Sequence, residues 1–556
     1  MPKVYDVVVI GSGAAGGMAA TQLCLKGLKV LMLERGPKFN IATDFNHHMK
    51  PYEFPFRGSI PPSETGKYTY VANAWSKKHF VNELENPYTG KKFVWVRAQA
   101  VGGKTLHWGL VSLRFSPRDF KAASHDGVGT DWPISYEDVE PYYSKVEDWI
   151  GVCGHPDHLE NNPDSHYLPA VPFTCAEAVF KGRNERNNSE WHVIHTRSAT
   201  VTKPGFHGRA PCHYCGDCGR VCNVAASFSS VGVLLPIAEK TGNLTTRTNA
   251  VVWKVTADKE NRARSVVFID RITRQVEEVY GKVIVMGAGT LDTTRILLNS
   301  KNEAYPNGLG NSSGVLGRYF CEQIMAGDIT GLIPSLKGNP NRGGGARPDG
   351  SGYYIPRFRN LNEKQKNFVR GYGFEGGGGS GEFPGFARKI PGFGAQFKEE
   401  VKKYYATVIS MGSFGEIIPR AENRVEIDPV VRDIWGIPAL KFNIEWGDND
   451  LAMARDANDV QREMFKKAGI EIIGERTEPY PPGYSIHSAG TARMGDDPKT
   501  SYLNKFNQSH EIKNLFVADA SCFLNSSEKN PTLTILALSM RTADYIAEQM
   551  RRGELG

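Results

Sequence analysis

The stretch VYDVVVIGSGAAGGMAATQLCLKGLKVLMLE, residues 4–34, decides the fold class. Residues 4–10 are a short β-branched run of the kind buried in a parallel sheet. The glycine-rich hexapeptide 11–16 follows, then apolar residues at helical spacing that stop at Gly27. Residues 28–34 form a second strand closing on Glu34. Strand, helix and strand within about thirty residues make a βαβ unit. Gly11, Gly13 and Gly16 permit a tight turn, close approach to a pyrophosphate and close helix packing. The helix N-terminus then offers free N–H groups to phosphates. Glu34 is placed to accept hydrogen bonds from an adenosine ribose, and an acid there disfavours a 2′-phosphate. The motif predicts a bound dinucleotide without separating FAD from NAD.

The rest of the chain is consistent with a large globular α/β protein. Of 556 residues, 40% are hydrophobic and 23% charged, which excludes a disordered chain. The 59 glycines exceed the usual level of about 7% but have no three-residue period, so collagen is excluded. A net charge of +7 (67 − 60) is too dilute for a nucleic-acid partner, and no run of five like charges marks a membrane patch. The uncharged stretch 7–25 carries Gly11, Gly13, Gly16, Gly17 and the polar Ser12, Thr21 and Gln22, so it is neither a signal peptide nor a span.

Residues 37–95 are polar, aromatic and proline-rich, and are expected to form a lid-like excursion. DWPISYEDVEPYYSKVEDWIGV predicts a helix capped by Ser135 or Asp138. LTTRTNAVVWKVTAD, SVVFID and GKVIVMGAG predict strands, the last running into a helix at TLDTTRILLNS. The segment 337–395, with GGGGSG at 376–381, is either a flexible linker or a substrate-facing loop region. Alternation in 404–414 and 439–446 predicts an antiparallel sheet. NLFVADAS is a further strand, and a final helix follows Pro531. There is no internal repeat.

Cys212, Cys215, Cys218 and Cys222 have the spacing C-x2-C-x2-C-x3-C, that of bacterial ferredoxins, within a loop at 211–223. Thiolates are soft ligands suited to iron–sulfur clusters. The proline usual after the last cysteine is replaced by Asn223, and a zinc site or a purely structural loop are the alternatives. Cys24, Cys153, Cys175, Cys321 and Cys522 are scattered and read as small buried hydrophobes.

AVGGKTLHWG (100–109), WPISYEDVEPYY (132–143), VIVMGAGTLDTTRILL (283–298), HSAGTARMG (487–495) and NLFVADAS…NPTLTILALSMRTADYIA (514–547) together resemble the glucose–methanol–choline (GMC) flavoprotein oxidoreductases, in order and spacing, from residue 4 to about 550. The resemblance implies FAD, oxidation of an alcohol, and a Rossmann-type FAD-binding domain assembled from 1–300 and 478–556. A substrate domain over 301–477 would be built on an antiparallel sheet with helices. It implies Gly102 and Gly103 beside the flavin, Val252 at the adenine, Asp519 near the pyrophosphate and ribityl chain, Thr532 among the cofactor-binding residues, and His107 where some members attach FAD covalently. The catalytic pair carries over onto His487 and Asn530. Imidazole can take the hydroxyl proton, Asn530 can hold the oxygen, and flavin N5 would receive the hydride.

The cysteine loop resembles the bacterial sugar dehydrogenase branch, most closely the flavoprotein subunit of glucoside 3-dehydrogenase. That branch implies oxidation of a secondary sugar hydroxyl, C3 foremost. It also implies a three-iron rather than a four-iron cluster, a small subunit and a cytochrome-type electron acceptor. Three irons use three thiolates, leaving Cys212 or Cys215 spare. With the first core strand so near the start, no room for a leader is expected. Periplasmic export with a signal-bearing partner is favoured over the cytoplasm.

Overall fold

The computed structural model describes residues 3–45, 49–216, 218–339, 345–365, 367–379 and 385–555; Asp217 of the cysteine loop and Ser380 and Gly381 of GGGGSG lie outside them. Five strands form a parallel sheet in the order Leu244–Arg247, Val30–Leu33, Val4–Ile10, Val276–Met286, Leu515–Val517. Val7 and Val9 pack into one apolar cluster and Val8 and Ile10 into another. A continuous β-branched run, rather than an alternating one, is what two-sided burial demands. The first half of Val276–Met286 pairs antiparallel with Ala263–Asp270, which pairs with Ala250–Ala257. The helix Ala14–Leu25 packs against the C-terminal helix Thr532–Arg551, which also meets Tyr136–Ile150. Ser135 is the N-cap of that last helix, with Asp138 accepting from the Ser135 N–H at 2.8 Å, and Gly151 ends it.

The second sheet is antiparallel, in the order Glu471–Arg476, Asp328–Leu332, Val408–Glu416, Tyr372–Gly378, Tyr353–Ile355, Ile194–His195. Gln323–Ile324 also pairs with Val408–Glu416. The described glycines of GGGGSG are therefore neither linker nor loop: Gly376, Gly377 and Gly378 complete a strand. The expected sheet at 439–446 exists, but Pro438–Asn443 pairs with Arg424–Arg432 and Thr89–Gly90 in a separate three-stranded sheet. The helix Cys175–Asn187 and the strand Ile194–His195, assigned from sequence to the cofactor domain, pack on the second sheet. Their short, weakly periodic elements gave no sign of which core they join.

Two glycines set the first turn. Gly11 has φ +98°, and a Cβ on Gly16 would lie 1.9 Å from the Gly11 carbonyl oxygen. Gly13 is different: a Cβ there would meet no protein atom closer than 3.9 Å. Gly16→Ala is therefore expected to strain the fold itself, costing about 1–3 kcal/mol of stability. Gly13→Ala should fold and melt normally yet lose cofactor affinity; melting curves and flavin content of the two variants check this contrast.

Candidate active site

A cavity of about 500 Å³ opens over the C-terminal ends of the parallel strands. This is where an open α/β sheet binds its ligand. Ala14, Thr290 and Thr532, the first residues of three helices, all line it. Helices Ala14–Leu25 and Thr532–Arg551 carry no acid in their first turns, so their N-termini present uncompensated positive potential to an anionic ligand.

Gly11, Gly13, Glu34, Gly103, His107, Val252, Asp519, Thr532, His487 and Asn530 all line this cavity, so residues read from five separate segments converge. Gly16 and Gly102 stand behind it. Gly102 has φ +102° and donates its N–H to Ser12 Oγ at 3.0 Å; Ser12 Oγ in turn donates to Glu34 Oε2 at 2.5 Å. Ser12, between the first two glycines of the motif, thus ties the first turn, the second strand and the Gly102 turn together. Glu34 Oε1 accepts from the Gly36 N–H at 2.8 Å, and burial raises the Glu34 carboxyl above its ordinary range. Asp519 acts as a brace: it accepts from the N–H groups of Gly289 and Ser521 and the hydroxyls of Thr293 and Ser521.

His487 carries the decisive geometry. Its Nδ1 is 2.7 Å from Gln323 Oε1. Gln323 Nε2 donates to the carbonyls of Ser526, Ser527 and Lys529 at 3.1, 3.0 and 2.9 Å. Three carbonyl acceptors fix that atom as the amide nitrogen, so Oε1 must accept and His487 Nδ1 must carry the proton. Nε2 is then the unprotonated nitrogen. Burial, with the Lys104 ammonium adding repulsion, pushes the imidazole down to about 3. The imidazole is therefore neutral at any ordinary pH. Gln323, Lys104 and Glu375 were not singled out from sequence. Gln323 and Glu375 lie on separate strands far from His487 in the chain, and only strand pairing brings them to the site.

His107 Nδ1 lies 3.0 Å from the Gly219 carbonyl, inside the cysteine loop, and so donates to it. This leaves Nε2 as a lone pair, which is buried and unpartnered. The ring stacks on His79 at 5.1 Å. In the loop, Cys212 Sγ accepts from the Tyr214 N–H and Cys218 Sγ from the Asp349 N–H, each at 3.4 Å. Burial pushes the Cys218 thiol up to about 12. All four cysteines are half-buried. Among the described residues the one group of three ligand atoms converging within 4.8 Å is Asp119, Glu416 and Glu528, so the thiols are not gathered at the spacing of a single tetrahedral ion.

Residues 5–321 match the N-terminal and residues 419–539 the C-terminal GMC oxidoreductase family. The chain belongs to the GMC oxidoreductases. It is 28% identical to a 2-methyl-1,2-propanediol dehydrogenase of Mycolicibacterium austroafricanum, over 98% of this chain and 95% of that one. It is 27% identical to the fructose dehydrogenase large subunit of Gluconobacter japonicus, over 99% and 98%. A formate oxidase of Aspergillus oryzae superposes with a TM-score of 0.64 at 13% identity, covering 100% of both chains, which shows the fold. This GMC protein is thus an oxidoreductase acting on CH–OH groups, of a family that binds FAD.

The cavity suits FAD on its own terms: open space over Gly13, acid-free helix N-termini and Glu34 at the second strand's end. FAD supplies the hydride acceptor when bound. His487, with Nε2 unprotonated, and Asn530 line the same cavity, the two residues on which the family likeness places the base and the holder of the hydroxyl oxygen. Gln323→Leu removes the acceptor for the imidazole N–H and frees three carbonyls of the segment leading to Asn530. Substrate-driven flavin bleaching is expected to slow by about 10²-fold or more in stopped flow, the scale of a positioned proton transfer, with flavin content retained.

Proposed function

We propose that this GMC oxidoreductase is an FAD-dependent dehydrogenase for sugars, oxidising a secondary hydroxyl of a pyranoside or free sugar, C3 foremost. The observation that carries the reading is the Gln323–His487 bond, which leaves Nε2 of the imidazole unprotonated in the cavity that Asn530 also lines. The named substrates of the relatives, fructose and 2-methyl-1,2-propanediol, support a hydroxylated substrate. A second cavity of about 680 Å³ abuts the first, sharing Gly109, Val111, Met325, Glu375 and Phe414, and offers room for a sugar.

The donor set of Cys212, Cys215, Cys218 and Cys222 suits an iron–sulfur cluster, three-iron before four-iron, which would supply a one-electron exit toward a partner. The backbone N–H groups already aimed at the Cys212 and Cys218 sulfurs support thiolate character once a metal replaces the protons. The similarity to a protein named as a large subunit supports a small subunit, with a cytochrome-type acceptor beyond it. Among the described residues no helix is long and apolar enough to cross a membrane. Export to the periplasm with that partner belongs to the same proposal, and fractionation of cells with and without the partner would test it. The lone pair on His107 Nε2 fits the nucleophile that covalent attachment of FAD requires.

The deciding experiment is an anaerobic titration of the purified protein with glucose, methyl glucoside, fructose and gluconate. One sugar is expected to bleach the flavin, and His487→Ala to keep its flavin while slowing bleaching by 10²–10⁴-fold. Near-normal bleaching in that variant would sink the assignment. Iron should be present, with a paramagnetic signal that Cys218→Ser with Cys222→Ser abolishes while bleaching survives. Absence of iron with full-rate peroxide production would make the cysteine loop structural. Acid precipitation should leave yellow colour on the polypeptide; complete release would remove the covalent role of His107 alone.

A further inference from the structure

The reaction as read uses His487 and Asn530 and gives Glu375 no task. Glu375 stands on the strand Tyr372–Gly378, where Tyr372 and Phe374 are buried in the core and the two-residue period turns Glu375 to the opposite face. It lines both cavities, at the wall they share. Its Oε1 is buried and has no hydrogen-bond partner, and Asn530 Oδ1 is in the same condition. The Asn530 side chain hydrogen-bonds the carboxyl, working against a burial that raises it to about 7.

A buried acceptor left unpaired costs free energy; with burial raising Glu375 to about 7, a donor brought to Oε1 favours the ionised form, which can only accept. A ligand hydroxyl entering from either cavity can supply that donor. The ligand's reacting hydroxyl is committed to His487 and Asn530, and Glu375 is the neighbour of Asn530. A hydroxyl on the adjacent carbon is the donor nearest at hand. We propose that Glu375 accepts a hydrogen bond from the hydroxyl vicinal to the carbinol being oxidised, so that the site selects neutral 1,2-diols and polyols over isolated alcohols. The proposal rests on His487 acting as base toward an alcohol.

Two further observations fit a neutral substrate of some size. A Cβ on Gly412 would meet only the Gly327 carbonyl oxygen, at 3.9 Å, so this part of the second cavity's wall is bare backbone. The one cation among the described residues lining that cavity, Arg347, is already engaged. Its Nη1 donates to both Glu177 oxygens and its Nη2 to the carbonyls of Pro172 and Ser351. A substrate carboxylate would find no free partner there.

The test compares trans-1,2-cyclohexanediol with cyclohexanol as probes of the holoenzyme, by anaerobic stopped-flow bleaching of the flavin. The wild-type protein is expected to favour the diol at least tenfold in the second-order rate. Glu375→Gln, an isosteric change, should shrink that preference by about 10- to 100-fold, the scale of a hydrogen bond to a charged group, mainly through weaker diol binding. Glu375→Asp, which keeps the carboxylate but withdraws it, should fall between, and serves alone if the glutamine variant fails to load flavin. A variant that slows both probes alike, or leaves the preference unchanged, overturns the proposal. So does a wild type bleached equally by the two probes or by neither. If His487→Ala left diol bleaching intact, the reading of the base would fall instead, whatever the Glu375 ratio.

Discussion

Three glycines packed backbone to backbone set the geometry on which the rest depends. A Cβ on Gly11 would lie 2.4 Å from the Gly287 carbonyl oxygen, one on Gly16 would lie 1.9 Å from that of Gly11, and one on Gly287 would lie 2.8 Å from the Gly16 nitrogen. The turns after two adjacent parallel strands, Val4–Ile10 and Val276–Met286, are thereby locked side by side. Their helices start at Ala14 and Thr290, and both starts border the cofactor cavity. Any side chain at this contact would push the turns apart and open the floor of the site.

Catalytic geometry is then added from the far side. Gln323, at the edge of the second sheet, holds His487 through its oxygen and the 526–529 backbone through its nitrogen. Those residues are held again from below. Lys529, 1% exposed, bonds Asp119 at 3.0 Å and Glu528 at 2.6 Å, and Asn525 donates to the Asp119 carbonyl. A buried ion network is weak evidence for stability, because desolvation opposes the Coulombic gain. Its place next to Asn530 in the chain gives it another use: it fixes the segment that carries Asn530 into the cofactor cavity, the kind of support that preorganises a site.

What could be read from the sequence follows from how each feature is written there. The βαβ unit and the helix Tyr136–Ile150 announce themselves by period and caps. The strand Tyr372–Gly378 did not, because glycine carries no alternation and weakens strand propensity. The structure shows why it is tolerated: a Cβ on Gly376 would lie 2.3 Å from the Tyr353 ring, and one on Gly378 would lie 2.3 Å from the Val408 carbonyl oxygen. His487 and Asn530 were legible only inside longer blocks of family likeness. Ser12, Gln323 and Glu375 are single residues whose partners lie 22, 164 and 155 positions away, a separation no local pattern records.

The cysteine loop shows the same dependence on distant contacts, and they explain its position. Its Gly219 carbonyl receives the His107 ring N–H, and its Cys218 sulfur receives the Asp349 N–H. His107 lines the cofactor cavity and Asp349 the second cavity. The loop is therefore hydrogen-bonded to a lining residue of each chamber. A loop whose acceptors take hydrogen bonds from a cofactor-facing imidazole and from a wall of the second cavity constrains both at once.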